Sequence, residues 1–116
     1  MIHEGQIVLF RFPQTDQSHG KLRPALVLRK LPGPFIVDWL ICMVSSQLSQ
    51  EIAAFDEVIK PEDSDFPASG LKLPSVIRVS RLAVVERTIL LGTIGEISSD
   101  RLSRIKTAIS DWINST

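Results

Sequence analysis

Short segments of β-branched and aromatic residues, separated by proline, glycine and polar turns, constrain the fold of this chain most strongly. They occupy residues 6–12, 24–28, 35–44, 75–79, 83–86 and 88–94. Each has the length and the residue types of a β-strand. The longest, 35–44, is nearly continuous in apolar residues, which is typical of a strand buried on both faces. Residues 51–59 fit either a strand or the end of a short helical insertion.

The end of the chain has a different periodicity. Leu102, Ile105, Ile109 and Trp112 recur at spacings that form one stripe of an α-helix. A serine at 98 or 99 can supply the N-cap oxygen, and an acidic residue follows it in the first turn. Many short strands followed by one helix predict a mainly-β fold, a small and strongly bent antiparallel sheet or barrel with the helix packed against it.

The length and composition predict a soluble cytoplasmic protein. With 116 residues, 44% of them apolar, the chain suits one domain spanning residues 1–116. Asp38 interrupts the longest apolar run, which is shorter than a membrane span, and the first residues lack the basic region of a signal peptide. The lone cysteine, Cys42, excludes an intramolecular disulfide and is typical of a small buried hydrophobe.

The formal net charge is zero, but the charges are unevenly distributed. Residues 51–65 carry six acidic side chains and one basic one, and the segments on either side are basic. Such a chain can present a local cationic face. The acidic stretch itself is typical of a solvated loop.

Several chemistries lack their motifs. The chain has no glycine-rich phosphate loop, no nucleophile elbow, and too few histidines and cysteines for a zinc site of the usual spacing. We therefore expect neither a metal nor a cofactor. Catalysis would rely on arginine, histidine, hydroxyl and carboxylate groups.

A few polar side chains at the predicted strand ends could supply that chemistry. Arg23 precedes Pro24, which favours an extended backbone and so fixes the direction of a guanidinium that could bind phosphate. Arg23 could equally cover a strand end. Ser45 and Ser46 could orient a phosphate or simply form a turn. His19 could move a proton or be inert, and Lys72, Arg78 and Arg81 could extend a phosphate-binding surface or solvate a strand edge.

Several blocks together resemble the MazF/PemK toxin family. The blocks are GQIVL at 5–9, RPALVL at 23–28, SSQL at 45–48, SGLKLPSVIRV at 69–79 and IGEI at 94–97 before the helix. The resemblance covers most of the chain. It implies a bent, SH3-like antiparallel barrel with a terminal helix, similar to that of CcdB.

The resemblance also implies a function. The family's members are sequence-specific, metal-independent endoribonuclease toxins of type II toxin–antitoxin systems. They cleave single-stranded RNA by attack of the 2′-OH, which leaves a 2′,3′-cyclic phosphate. The implied partners are mRNA, a second copy of the chain in a homodimer, and a cognate antitoxin with an acidic or disordered segment.

Roles follow residue by residue from the same resemblance. The family's essential arginine corresponds to Arg23 and its catalytic hydroxyl to Ser45, with His19 in a loop where some members carry a histidine. RNA contacts would come from Lys21, Ser46, Gln47, Lys72, Arg78 and Arg81.

Two positions depart from the family pattern. Many members have an acid where this chain has Gln6, and some have a carboxylate where it has Ser80. Without these carboxylates, His19 is the best remaining proton acceptor. The departures leave a second hypothesis open, a degenerate or CcdB-like toxin that binds RNA or a protein such as gyrase without cleaving RNA.

Overall fold

The structure is a computed structural model that describes residues 2–11, 21–34 and 37–116. Its strands and α-helices, in chain order, are β1 (Gln6–Arg11), β2 (Leu22–Lys30), β3 (Asp38–Ser45), β4 (Glu57–Ile59), α1 (Phe66–Ser69), β5 (Ser75–Glu86), β6 (Leu90–Glu96) and α2 (Ser99–Asn114). Short 3-10 turns at Leu48–Gln50 and Arg87–Ile89 follow β3 and β5.

The six strands form one antiparallel sheet in the order β4-β5-β3-β2-β1-β6. The prediction of a mainly-β fold with a C-terminal helix is therefore confirmed. The sheet is bent but it is not a closed barrel, because β4 and β6 remain its two edges among the described strands. Register shifts in the β1–β6, β2–β3 and β3–β5 pairs increase the local twist and supply the bend.

Both faces of the sheet are buried, each against its own apolar cluster. Alternate residues of β2 point to opposite sides, so Leu26 and Leu28 pack in one cluster and Ala25 and Val27 in the other. The first cluster also contains Ile105 of α2. This two-sided burial explains the continuous apolar runs of the central strands.

Cys42 lies in the first cluster as a free, fully buried thiol. Burial, together with the nearby Asp56 carboxylate, raises its pKa. The expectation that this residue acts as a small hydrophobe agrees with its position.

Helix α2 begins where the sequence predicts. The Ser98 hydroxyl accepts a hydrogen bond from the Arg101 N–H at 3.2 Å and so caps the helix. The Arg101 side chain is buried and bonded to Glu57, Asp63 and Asp65 at 3.0, 3.1 and 2.8 Å. These contacts fix the helix to the segment that contains β4 and α1.

The charge of the stretch 51–65 indicated a solvated loop, but the structure shows that this stretch is more than that. Three of its carboxylates bind Arg101, and a fourth, Asp56, is buried at the sheet. Burial alone would raise the pKa of Asp65, but hydrogen bonds from Arg101 and from Ser98 lower it to about 2. The three carboxylates that bind Arg101 stabilise the fold.

Some element boundaries differ from the prediction. The segments 75–79 and 83–86 belong to one long strand, β5, and the ambiguous stretch 51–59 contains a turn followed by β4. The last strand begins only at Leu90, after a 3-10 turn. Within the described residues, no helix is both long and apolar enough to span a bilayer.

Candidate active site

A groove of about 880 Å³ crosses the sheet surface where β1, β2, β3 and β5 run beside one another. Its floor includes Phe10, Met43 and Ala83, which belong to or pack against the second apolar cluster. The groove therefore lies on the face of the sheet opposite α2, whose Ile105 packs in the first cluster.

Arg23 and Ser45 both line this groove, on neighbouring strands. In the β2–β3 register Ala25 is opposite Met43. The same register, continued by two residues beyond its last pair, would put Arg23 opposite Ser45, and the alternation of side chains along a strand puts both on the face of Ala25 and Met43. The structure thus brings the predicted guanidinium and the predicted hydroxyl to one strand end.

The Ser45 hydroxyl is held in a local turn. Its oxygen accepts a hydrogen bond from the Gln47 N–H at 3.1 Å. Within the described part of the chain, its own O–H has no acceptor, so it is free to donate to a ligand. The turn-forming and ligand-binding interpretations of this serine are therefore compatible. Ser46 and Gln47, which continue the turn, also line the groove.

Three further cations line the same groove, namely Lys72, Arg78 and Arg81. Arg78 lies opposite Met43 in the β3–β5 register, so its side chain emerges on the groove face. Its Nε is buried and has no hydrogen-bond partner among the described residues. Because buried donors are nearly always paired, this guanidinium is suited to an anionic ligand.

The groove is uniformly cationic in its ionisable groups. Arg23, Lys72, Arg78 and Arg81 are its charged lining residues, and none of its described lining residues is acidic. A molecule of zero net charge thus concentrates positive charge on one surface. A polyanion is the ligand class that fits such a surface.

The other candidate residues lie elsewhere. Lys21 is exposed just before β2 and is not among the lining residues, and His19 lies outside the described residues. Gln6 accepts a hydrogen bond from the His3 N–H at 2.9 Å. The hydroxyl of Ser80 donates to Asp56 at 3.1 Å. No group of three histidine, cysteine or acidic side chains that could hold a metal ion occurs in the described ranges.

Some lining residues were not predicted from the sequence. Gln50 and Ser75 add an amide and a hydroxyl, and apolar side chains such as Leu22, Leu73 and Ile89 form the walls. Gln50 follows Gln47 by three residues across a 3-10 turn, a spacing that could have indicated a shared face. The sequence gives no indication of the apolar wall residues, because an exposed leucine or isoleucine in a strand pattern cannot be distinguished from a core residue.

The PemK-like, MazF-like toxins of type II toxin–antitoxin systems have a family model that matches residues 3–113. The chain belongs to this family. Membership implies an antitoxin as a partner. A comparison with curated protein sequences gives no significant match.

Among solved structures, the chain is similar to the Mycobacterium tuberculosis toxin MazF-mt6. The TM-score is 0.69 over 96% of this chain and 98% of that one, with 17% sequence identity. At that identity the likeness is one of fold. It supports the sheet order and the terminal helix of this PemK-like, MazF-like chain.

Proposed function

We propose that this toxin is a sequence-specific, metal-independent endoribonuclease that cleaves single-stranded RNA in the groove. The observation that carries the proposal is the groove's lining of four cations, with no carboxylate among the described residues, around the Ser45 hydroxyl. Cations that follow the sugar–phosphate backbone supply most of the affinity of a protein for a single strand.

The chemistry assigns one role to each group. The 2′-OH of one nucleotide attacks its own 3′-phosphate, a new O–P bond forms, and the bond to the 5′-oxygen of the next nucleotide breaks, with that oxygen taking a proton from solvent as it leaves. The products are a 2′,3′-cyclic phosphate and a free 5′-OH. Arg23 and Arg78 stabilise the extra charge on the phosphoryl oxygens, and Ser45 donates a hydrogen bond to one of them.

The attacking 2′-OH must also lose a proton. None of the described lining residues is a carboxylate that could take it. We propose His19 as the acceptor, as the family resemblance implies, because residues 12–20 lie between β1 and β2 in the sequence, and Phe10 of β1 and Leu22 of β2 both line the groove. A neutral imidazole is a suitable base near pH 7.

The same groove is suited to a protein partner as well as to RNA. We propose that the toxin acts as a homodimer and that the cognate antitoxin silences it by placing an acidic or disordered segment in the groove. The cationic lining is complementary to such a segment as well as to RNA. RNA and antitoxin would then compete for Arg23 and its neighbours.

Cleavage in the presence of EDTA tests the proposal. We expect the purified toxin to cut a mixed-sequence RNA and to leave 2′,3′-cyclic phosphate and 5′-OH ends, identified by end-labelling. Arg23→Ala and Ser45→Ala should each lower kcat by about 10²–10³, the usual effect of removing one transition-state donor. Arg29→Ala is the matched control, since Arg29 is exposed on β2 and outside the groove lining.

A second function is favoured by one observation, the lack of a carboxylate in the described lining. A toxin that binds RNA or a protein target without cleaving RNA needs no base. In that case the folded wild-type protein would leave RNA intact under all salt conditions. Growth inhibition that survives Arg23→Ala would point to a protein target.

A further inference from the structure

Strand β5 carries an irregularity directly beside the groove. Met43 pairs with Arg78 and the preceding residue, Cys42, pairs with Leu82, so residues 79–81 of β5 have no counterpart on β3. Arg78 precedes this bulge and Arg81 is its last residue, and both line the groove. The bulge therefore decides where the two guanidinium groups are presented.

A single buried carboxylate holds the bulge. Asp56 accepts a hydrogen bond from the Ser80 N–H at 2.9 Å and one from the Ser80 hydroxyl at 3.1 Å. It also accepts one from the Ile52 N–H at 2.9 Å, which ties the turn before β4 to the same point. An N–H that the irregular strand leaves without a β3 partner is thereby satisfied.

Asp56 differs from Asp65, the other buried carboxylate among the described residues, which pairs with Arg101. Asp56 is only 7% exposed, and no ion pair is formed by it within the described residues. Burying a carboxylate without a cation costs free energy, which the three hydrogen bonds to Asp56 must offset. A role in fixing the geometry of the neighbouring site explains the residue better.

We propose that Asp56 is a positioning residue of the RNA groove, which acts through Ser80 and the bulge at 79–81 to hold Arg78 and Arg81 against the RNA phosphates. The proposal rests on the ribonuclease function proposed above. Asp56 is itself outside the groove lining and touches no substrate. Its carboxylate fixes the backbone of the bulge through the hydrogen bonds from Ser80, which Ser80 could not do without this acceptor.

Asp56→Asn is the first test, because it keeps the size of the side chain but leaves at least one of the three donors without an acceptor. We expect kcat/KM for RNA cleavage to fall on the order of tenfold to a hundredfold, the usual consequence of a misplaced positioning group. Asp63→Asn is the matched control. Asp63 also accepts a backbone N–H, from Lys60 at 2.9 Å, but it faces Arg101 of α2.

A double-mutant cycle separates positioning from general stability. If Asp56 acts through the arginines, its substitution should cost less once Arg78 or Arg81 has been replaced by alanine, and little more once both have been replaced, so that the effects are non-additive. Ser80→Ala, which keeps the backbone hydrogen bond, should lose several-fold in kcat/KM, and Ser80→Thr should restore it. This milder pair keeps the test decisive where Asp56→Asn does not fold.

Two different failures can be distinguished. Wild-type protein that neither cleaves nor binds single-stranded RNA would overturn the proposed function and this inference with it. Active wild-type protein, with unchanged kcat/KM in the Ser80→Ala variant and in folded Asp56→Asn, would overturn the inference alone. Fully additive effects with both arginine substitutions would do the same.

Discussion

At the scale of single residues, two arginines have opposite surroundings. Arg101 is buried and bound by three carboxylates, whereas Arg23 is exposed in a groove that lacks them in its described lining. Removing one partner of a buried ion pair is strongly destabilising, while an exposed cation contributes little to stability. The first arginine serves the fold and the second is available to a ligand.

Stability at low pH should depend on the pairing of Asp65 with Arg101. The pKa of Asp65 is lowered to about 2, so its ionised form stabilises the folded state above its ordinary pKa and that contribution is lost as the pH falls from about 4 towards 2. Asp65→Asn should cost about 2 kcal/mol at pH 7 and progressively less below pH 4.

Urea denaturation over a pH series measures this dependence. Asp111→Asn is the control, because Asp111 is exposed on the same helix, and its profile should follow that of the wild type. Parallel profiles for Asp65→Asn and the wild type would show that the pairing contributes no pH-dependent stability.

The sequence predicts the residues that line the site better than it predicts the hydrogen bonds that position them. Arg23 is fixed locally by Pro24, and the Ser45 turn is a contact between residues two apart, so both lie within the reach of sequence reasoning. The bond between Asp56 and Ser80 joins residues 24 positions apart, and no local pattern specifies it. Ser80 and Arg81 therefore resembled a turn between two strands.

At the scale of elements, the contact between β6 and α1 depends on one glycine. A Cβ at Gly95 would lie 2.2 Å from the Ala68 carbonyl oxygen and 2.4 Å from the Ser69 carbonyl carbon. The backbone of α1 thus lies directly on β6. Because α1 leads into Leu71, Lys72 and Leu73 of the groove, this contact also fixes one groove wall.

Gly95→Ala should therefore destabilise the protein by about 1–3 kcal/mol, since backbone atoms must move to admit the methyl group. Gly92→Ala on the same strand is the control, because nothing lies within 4 Å of its added Cβ, and its effect should stay within about 0.5 kcal/mol. Thermal unfolding of both variants measures the difference. Equal losses would mean that strand propensity rather than the α1 contact sets the effect.

The sequence predicted those elements whose buried residues form a regular apolar pattern along the chain. The apolar stripe of α2 and the continuous runs of β2 and β3 were sufficient to place these elements. It left β4 undecided between strand and helix, because the three residues of β4 depend on pairing with β5. It did not predict the sheet's open edges, which depend on how far the bend carries β4 from β6. Both are set by tertiary contacts.

At the scale of the whole molecule, zero net charge conceals a separation of charges. The acidic stretch turns towards α2, where it binds Arg101, and four cations collect in the groove on the opposite face of the sheet. Folding thus creates this cationic surface from basic residues on separate segments of the chain. The charge pattern alone indicated that such a face could exist, and the strand registers decide which side chains form it.

The position of RNA on the protein tests this account most directly. A short single-stranded RNA with 2′-O-methyl groups lacks the attacking hydroxyl, so it should bind without being cleaved while amide chemical shifts are recorded by NMR. We predict that the largest shift changes fall on Arg23, Ser45, Gln47, Arg78 and Arg81, with little change along α2. Changes centred on α2, or none at low salt, would contradict the assignment of the groove as the site of RNA recognition.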